Sequence, residues 1–532
     1  MSKYVMTYDV GTTGIKTCLI EIDKEIKILG SDSFGYNLYI LEDGGAEQDA
    51  DEWWQAMCVT TKSVLQKVPY IKPEQIEGIS FCSQQQALVL VDKEGNCIRR
   101  PMSYMDQRAK TELKEGIAHG FKIAGAEVTK LLKYLRYTGA VSSSVKDPIW
   151  KYQWVRKHEP ENFKKIHKWL DVKEYLICRC SGEFVMTEDS AFAALLYDTR
   201  KGHEGWCKPV CDMVGVNMEH LPTIKKSTEK VGEITEKAAG ELGLAAGTAV
   251  YGGGGDSALI GVGAGAVEVG DTHIYSGTSG WVSTVTDKQV VDANAMIAAI
   301  VGADSGKYNY FAELETSNKC VEWVKNHLAL DDIGVYLKHM DVSESFEKLQ
   351  LNLYDYMENV IDEIPAGCGG TIFTPWLHGN RCPFEDPNSA GMFFNIKLET
   401  GKTELIRAVV EGICFHMRWM LESQDKKVKT SNPIRFCGGG ALGAVTCQIL
   451  SDILQRDIEV VESPQNVGAV GAAACIAVGM GLIEKMGDVK KIIPVKHVYH
   501  PNKENKAVYD RNFTVFKNLY YDNKKNFAIL NG

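Results

Sequence analysis

Two carboxylates stand beside glycine turns in this chain, and they carry the first chemical argument. Asp9 closes the apolar run Tyr4-Val5-Met6-Thr7-Tyr8, and Val10 then leads into Gly11-Thr12-Thr13-Gly14. Asp256 follows four consecutive glycines, Gly252 to Gly255. A carboxylate inside an apolar run costs several kcal/mol unless it is paired, hydrogen-bonded or metal-associated. Glycines let a backbone approach a ligand closely. The Gly-Thr loop recurs as Gly277-Thr278-Ser279-Gly280, 266 residues after Gly11 in a chain of 532. Strand-like segments flank both copies, Ile15 to Ile20 after the first, His273 to Ser276 and Trp281 to Val285 around the second. A tight glycine turn exposes backbone N–H groups, its hydroxyls add donors, and the combination is a phosphate cradle. Two unrelated hairpin turns would look the same on spacing alone. Phosphoryl transfer needs N–H donors around the phosphates, a carboxylate for hydrated Mg²⁺ and a base for the acceptor's proton. Asp9, Asp256 and the loops supply that kit, and two similar lobes closing on one nucleotide would account for the repetition. Lys16 adds positive charge toward the phosphates, or is a solvated strand lysine.

Several other nucleotide signatures are absent. Gly401-Lys402-Thr403 resembles the end of a P-loop, but Ile396 stands where its first glycine belongs. Gly261-Val262-Gly263-Ala264-Gly265 does not complete a dinucleotide fingerprint. The protein-kinase HRD and DFG elements are missing. A third glycine turn, Gly438-Gly439-Gly440-Ala441, follows the strand pattern of Ile434 to Cys437.

The elements that must position these residues alternate along the chain. Residues 1–40 read as several strands with turns. Asp49 to Lys67 reads as a helix with Trp53, Trp54, Met57, Val64 and Leu65 on its apolar side. Ile76 to Phe81 reads as a buried strand that ends in the polar run Ser83-Gln84-Gln85-Gln86. Such a polar strand end is a candidate ligand contact, or a solvated hairpin. Helices are expected over Pro148–His158, Ser257–Gly265, Thr316–Leu328, Lys402–Glu422 and Tyr509–Tyr520, with strands at Thr248–Tyr251 and Thr371–Pro375.

A chain of 532 residues exceeds one core and fits two large domains, placed here at 1–254 and 255–532. The net charge of −10 argues against a nucleic-acid surface. The most apolar stretch, Val467 to Ile483, is short and rich in Gly and Ala, so a buried helix is expected and no membrane association. The N-terminus reads straight into a strand without a leader pattern, and the 15 scattered cysteines show neither zinc spacing nor a disulfide framework. The expected compartment is the cytoplasm.

In series, these residues resemble the FGGY family of carbohydrate kinases. The matching elements run Asp9 to Gly14, Met105-Asp106-Gln107-Arg108, Lys151 to Pro160, Gly252 to Asp256, Gly277 to Gly280, and Gly379-Asn380-Arg381 to Pro383. Arg407 to Gly412, Gly438 to Ala441 and Gly468 to Ala473 complete the series. The resemblance covers nearly the whole chain. It implies an α/β fold of two actin/hexokinase-like (ribonuclease H-like) lobes with the active-site cleft between them. It implies ATP and Mg²⁺ as cofactors, a small-molecule sugar or polyol as partner, and allows a homodimer. Asp256 resembles the catalytic base, and Asp9, with Asp256, the metal-positioning carboxylates. Gly11, Thr12, Thr13 and Lys16 resemble the first ATP-phosphate contacts, and Gly277, Thr278 and Ser279 the second. Gly439, Gly440 and Ala441 resemble the turn along the adenosine. Gln84, Gln85, Gln86, Asp106 and Asp256 occupy the sugar positions.

Within the family the pattern is most similar to the xylulokinase branch, with two departures: the usual Trp before the Asp106-x-Arg108 element is missing, with Tyr104-Met105 in that region, and the sugar strand differs. That branch usually carries Gly-Gln-Met-His-Gly where this chain has Ser83-Gln84-Gln85-Gln86-Ala87. The two new amides donate and accept, which suits a polyhydroxylated ligand, and they are the leading candidates for setting specificity. Another ketose, polyol or aldonate is the alternative acceptor. An actin- or chaperone-like ATPase would share the twin loops but does not need the sugar-side elements. A catalytically dead regulator would not need both Asp9 and Asp256.

Overall fold

The computed structural model describes residues 2–117, 119–123, 126–329 and 346–532. They divide into two compact units. The first comprises Met1–Gly263, Ile300–Tyr308 and Gly468–Ile493, the second Ala264–Ala299, Asn309–Val467 and Pro494–Gly532.

The first unit is built on β1 (Lys3–Val10), β2 (Gly14–Ile22) and β3 (Ile26–Gly35), followed by α1 (Ala50–Lys67) and β4 (Ile76–Ser83). Further on come α2 (Pro148–His158), α3 (Val172–Ser181), α4 (Glu188–Ala193), β5 (Ala249–Tyr251), β6 (Gly254–Gly255) and α5 (Asp256–Gly263). The main sheet runs β3-β2-β1-β4-β5. β1 to β3 form an antiparallel meander, and β1, β4 and β5 are mutually parallel. β1 is central, so Val5 to Tyr8 are buried on both faces and the strand reads as an apolar run rather than an alternation. Asp49 caps α1 by accepting from Asp51 N at 3.0 Å, and Trp53, Trp54, Met57 and Val64 bury against the sheet.

The second unit repeats this plan with β7 (Thr272–Ser276), β8 (Gly280–Thr286), β9 (Tyr308–Leu314), α6 (Asn318–Val324) and α7 (Phe346–Asp362). It continues with α8 (Lys402–Gln424), β10 (Ile434–Cys437), α9 (Ala444–Leu454) and β11 (Ile458–Val461). The five central strands run β9-β8-β7-β10-β11. β7 and β8 form an antiparallel hairpin, β10 is parallel to β7, and β11 is parallel to β10. This is the strand order of the first unit, so the duplication expected from the twin loops extends to the sheets that carry them. It is the duplicated, ribonuclease H-like arrangement of the actin/hexokinase lobes.

α8 is buried along most of its length. Its motif residues serve the core: Arg407 Nε donates to Glu411 Oε1 at 2.9 Å, and that oxygen also accepts from Gly367 N at 3.0 Å and Tyr509 Oη at 3.0 Å. α10 (Val467–Gly479) begins at the unit boundary and packs within the first unit from Gly468 onward. α11 (Lys506–Asn531) covers α9 and α8. Among the described residues no helix is long and apolar enough to cross a membrane, and all fifteen cysteines are free thiols.

Candidate active site

The two carboxylates singled out in the sequence meet within the first unit through strand register. Asp9 on β1 pairs with Cys82 on β4, and Gly254 on β6 pairs with Cys82 from the other side. Asp256 follows two residues later as the first residue of α5. Three adjacent strands put the two acids on the order of 10 Å apart. Burial, then the charges of Asp9 and Asp256, raise the Cys82 thiol well above its usual range, so it stays protonated and serves as a donor to Asp9. Burial also raises the Asp9 carboxyl above the usual carboxylate range. Lys16, its cross-strand partner, and the Cys82 thiol pull it back down. α10 approaches closely here: a Cβ on Gly468 would lie 2.7 Å from Asp9 Oδ2 and 2.9 Å from Cys82 Sγ.

Both Gly-Thr loops are anchored by their carbonyls. In the first, Tyr36 Oη donates to the Gly11 carbonyl, and Gln48 Nε2 donates to Thr12 O at 2.7 Å. Tyr36 N donates to Thr13 O at 3.0 Å, and Gly11 N donates to Gly14 O at 2.9 Å. In the second, Asn318 N donates to Gly277 O at 2.9 Å, Ser317 N to Thr278 O at 3.0 Å and Gly277 N to Ser279 O at 2.9 Å. The donors at 317 and 318 belong to the start of α6. The carbonyls of residues 11–14 and 277–279 are therefore tied back to protein. With Gly11 N and Gly277 N closing the turns, a loop fixed this way leaves its remaining N–H groups and hydroxyls to face an anion. Thr13 and Thr278 are exposed at the tips. Tyr36 and Gln48 were not anticipated from sequence, because a tyrosine and a glutamine in a strand-and-turn region carry no signal of what they hold.

Gln48 links the first Gly-Thr loop to the polar end of β4, since its Oε1 also accepts from Gln84 Nε2 at 3.1 Å. Gln48→Leu is expected to release Thr12 O and raise KM for ATP about fivefold, the equivalent of one net hydrogen bond near 1 kcal/mol. Steady-state kinetics in ATP check this, and an unchanged KM contradicts the anchoring role.

The sugar-strand amides differ in what they offer. Gln84 Oε1 is buried and finds no protein donor among the described residues, so it is suited to a ligand hydroxyl. Gln85 donates through Nε2 to Asp189 Oδ2 at 3.0 Å and accepts through Oε1 from Ser257 Oγ at 2.9 Å. Gln86 adopts φ 65°. Its backbone N donates to Asp171 Oδ2 at 2.7 Å, and its Nε2 to Ala193 O at 3.3 Å. Asp106 is fully buried and accepts from Ala46 N at 2.9 Å and Arg108 Nη2 at 2.7 Å. Arg108 reaches Glu47 at 2.6 Å and lies 4.6 Å from the Trp154 ring centroid.

Lys151, from the same motif as Trp154, is fully buried. Its Nζ donates to the carbonyls of Gln86 at 2.8 Å and Ser103 at 2.7 Å, joining the sugar strand to the Asp106 turn. Burial lowers its pKa to about 8 against the charges of Asp106 and Asp171. Lys151 was legible only as the start of a family element, with no sign of its contacts, and Asp171 and Asp189 were missed from sequence. Asp171 also caps α3, accepting from Val172 N at 2.8 Å.

In the second unit, Gly439, Gly440 and Ala441 form a tight 3-10 turn after β10. Gly440 packs against β7, where a Cβ would sit 2.7 Å from Ser276 Oγ. A cavity of about 540 Å³ opens beside the turn, lined by Ser276, Asn318, Gly439 and Gly440 on one side and by Val410, Ile413 and Met417 of α8 on the other. That volume suits a nucleoside. Glu358 of α7 also lines it and accepts from Val445 N at 2.9 Å, capping α9. Arg381 pairs with Glu313 and Glu315. Among the described residues no group of three or more His, Cys, Asp or Glu is assembled for a metal. A single carboxylate such as Asp9 suits hydrated Mg²⁺ that arrives with phosphates.

Duplicated sheets, anchored glycine loops and a carboxylate pair fit a phosphoryl-transfer fold, and the chain belongs to the FGGY family of carbohydrate kinases. The N-terminal domain of that family matches residues 4–263 and the C-terminal domain residues 273–480. Among relatives, the xylulose kinase of Bacillus subtilis (strain 168) is 27% identical over 525 residues, covering 98% of this chain and 97% of that protein. The gluconokinase of the same organism is 25% identical over 525 residues, covering 98% and 96%. The crystal structure of ligand-bound xylulose kinase from Lactobacillus acidophilus superposes with a TM-score of 0.84 at 25% identity, covering 99% of this chain and 100% of that one.

Proposed function

We propose that this enzyme transfers the γ-phosphate of ATP to a neutral sugar, D-xylulose, forming D-xylulose 5-phosphate, with Asp256 as general base. The observation that carries the choice of a neutral acceptor is the state of the cations around the sugar strand. Arg108 is paired with Asp106 and Glu47, and Lys151 is buried between two carbonyls. Neither offers free positive charge to the carboxylate of an aldonate. The side chains at 84 to 86 are neutral amides, and Gln84 Oε1 accepts a sugar hydroxyl.

In this reading Asp256 takes the proton from the acceptor hydroxyl as its oxygen attacks phosphorus. The backbone donors of Thr12 and Thr13 and of Thr278 and Ser279 take the phosphate charge, with Gly11 and Gly277 closing the turns that present them and Lys16 adding positive charge. Bound Mg²⁺ supplies charge neutralisation on the phosphates, and Asp9, with Asp256, would hold it through water. Gly439, Gly440 and Ala441 lie along the adenosine. The first half of the chain thus serves the sugar and one phosphate loop, the second half the other loop and the nucleoside. The cytoplasm, where ATP is plentiful and thiols stay reduced, is the proposed compartment.

An ADP-release screen with Mg²⁺-ATP against ketopentoses, polyols and aldonates tests the substrate. D-xylulose is expected to give the highest kcat/KM, and gluconate little or none. A preference for gluconate would contradict the argument from paired cations.

A further inference from the structure

We propose that Asp189 and Gln85 are positioning residues for Asp256, holding the Gly255 N–H before it and the Ser257 hydroxyl after it, so that Gln85 governs turnover rather than choice of sugar. This inference rests on the reading of Asp256 as the base.

The connections run in one consistent direction. Asp189 is 3% exposed. Its Oδ2 accepts from Gly255 N at 2.7 Å, the residue before Asp256, and from Gln85 Nε2 at 3.0 Å. Gln85 Oε1 accepts from Ser257 Oγ at 2.9 Å, the residue after Asp256. Ser257 N then donates to Asp256 Oδ1 at 2.7 Å. On the far side, Thr187 Oγ1 donates to Asp189 Oδ1 at 2.5 Å and accepts from Lys173 Nζ at 2.6 Å. Lys173 is fully buried and ion-paired with Glu174, and its charge faces the same network. Asp189 is thus held by a hydroxyl whose own orientation is fixed.

The fit at Gly255 supports the same role. A Cβ there would lie 1.8 Å from Gln85 Cδ, so the glycine preceding the base is needed to admit the amide. Gln85 spends its carbonyl and one amide hydrogen on this brace. Bulk at 85 is less important than the two hydrogen bonds, because they fix where α5 begins and hence where the Asp256 carboxylate points. Displacing a reacting group by about 1 Å costs up to 10²-fold in rate.

The test uses the full-length enzyme and three acceptors of different efficiency. Gln85→Met, Asp189→Asn, Ser257→Ala and Asp256→Asn are compared for kcat, KM and thermal stability. Gln85→Met is expected to lower kcat on the order of 10- to 100-fold, by one common factor for all acceptors, with KM for sugar and ATP near wild type. Adding Ser257→Ala to Gln85→Met is expected to cost little more, since both remove the same link. Asp189 is deeply buried, so if Asp189→Asn fails to fold, the half-buried Gln85 carries the test. Wild-type kcat in Gln85→Met, or a changed ranking of acceptors, overturns the proposal while Asp256→Asn remains inactive. Near-wild-type turnover in Asp256→Asn would instead overturn the base assignment on which it rests.

Discussion

Asp256→Asn is expected to lower kcat by about 10²- to 10⁴-fold, the span that one positioned base contributes, while sugar and nucleotide still bind. The substitution is nearly isosteric. The hydrogen bond from Ser257 N to Oδ1 can be kept by an asparagine oxygen, so the start of α5 and the ties of Gly255 to Asp189 and of Ser257 to Gln85 survive. What is lost is the capacity to accept the hydroxyl proton. ADP release gives kcat and calorimetry gives binding. Turnover close to wild type would contradict the role, and lost binding would mean that the residue holds the sugar rather than activating it.

Asp9→Asn is expected to separate activity from stability. Burial raises the Asp9 carboxyl, so the folded chain holds its charged form at a cost. The sign follows from linkage: a carboxyl whose folded pKa is raised favours folding below its unfolded pKa. That contribution is lost as pH rises through the folded pKa. At neutral pH an amide removes the burden, and Tm is expected to stay level or rise. Activity moves the other way. Loss of a charge aimed at the phosphate-bound cation is expected to cost about 10²- to 10³-fold in kcat and to shift the Mg²⁺ requirement upward. A variant with unchanged Mg²⁺ dependence and activity would show Asp9 to be a structural acid.

Much of the fold was legible in the sequence because the periodic segments are long and their ends are marked. Pro148 to His158 and Ile434 to Cys437 coincide with α2 and β10, and Asp49 marks the cap of α1. The twin loops pointed correctly to twin sheets. Less legible was what each polar side chain spends its bonds on. Gln85 and Gln86 read in sequence as amides offered to a ligand, and no local pattern showed that Gln85 also bonds Asp189 and the Ser257 hydroxyl, or Gln86 the Ala193 carbonyl. Asp189 lies more than 60 residues from Gly255, so no local pattern relates them. The anchoring of loop carbonyls by Tyr36, Gln48 and the start of α6 depends on three-dimensional register in the same way.

The most direct test of phosphoryl transfer to a sugar is product stoichiometry. The enzyme is incubated with Mg²⁺-ATP and D-xylulose, and ADP and pentose phosphate are counted by mass spectrometry. Equal amounts of ADP and D-xylulose 5-phosphate, with negligible ADP when sugar is withheld, are predicted. ADP formed at the same rate without sugar, and no phosphorylated sugar, would contradict the account.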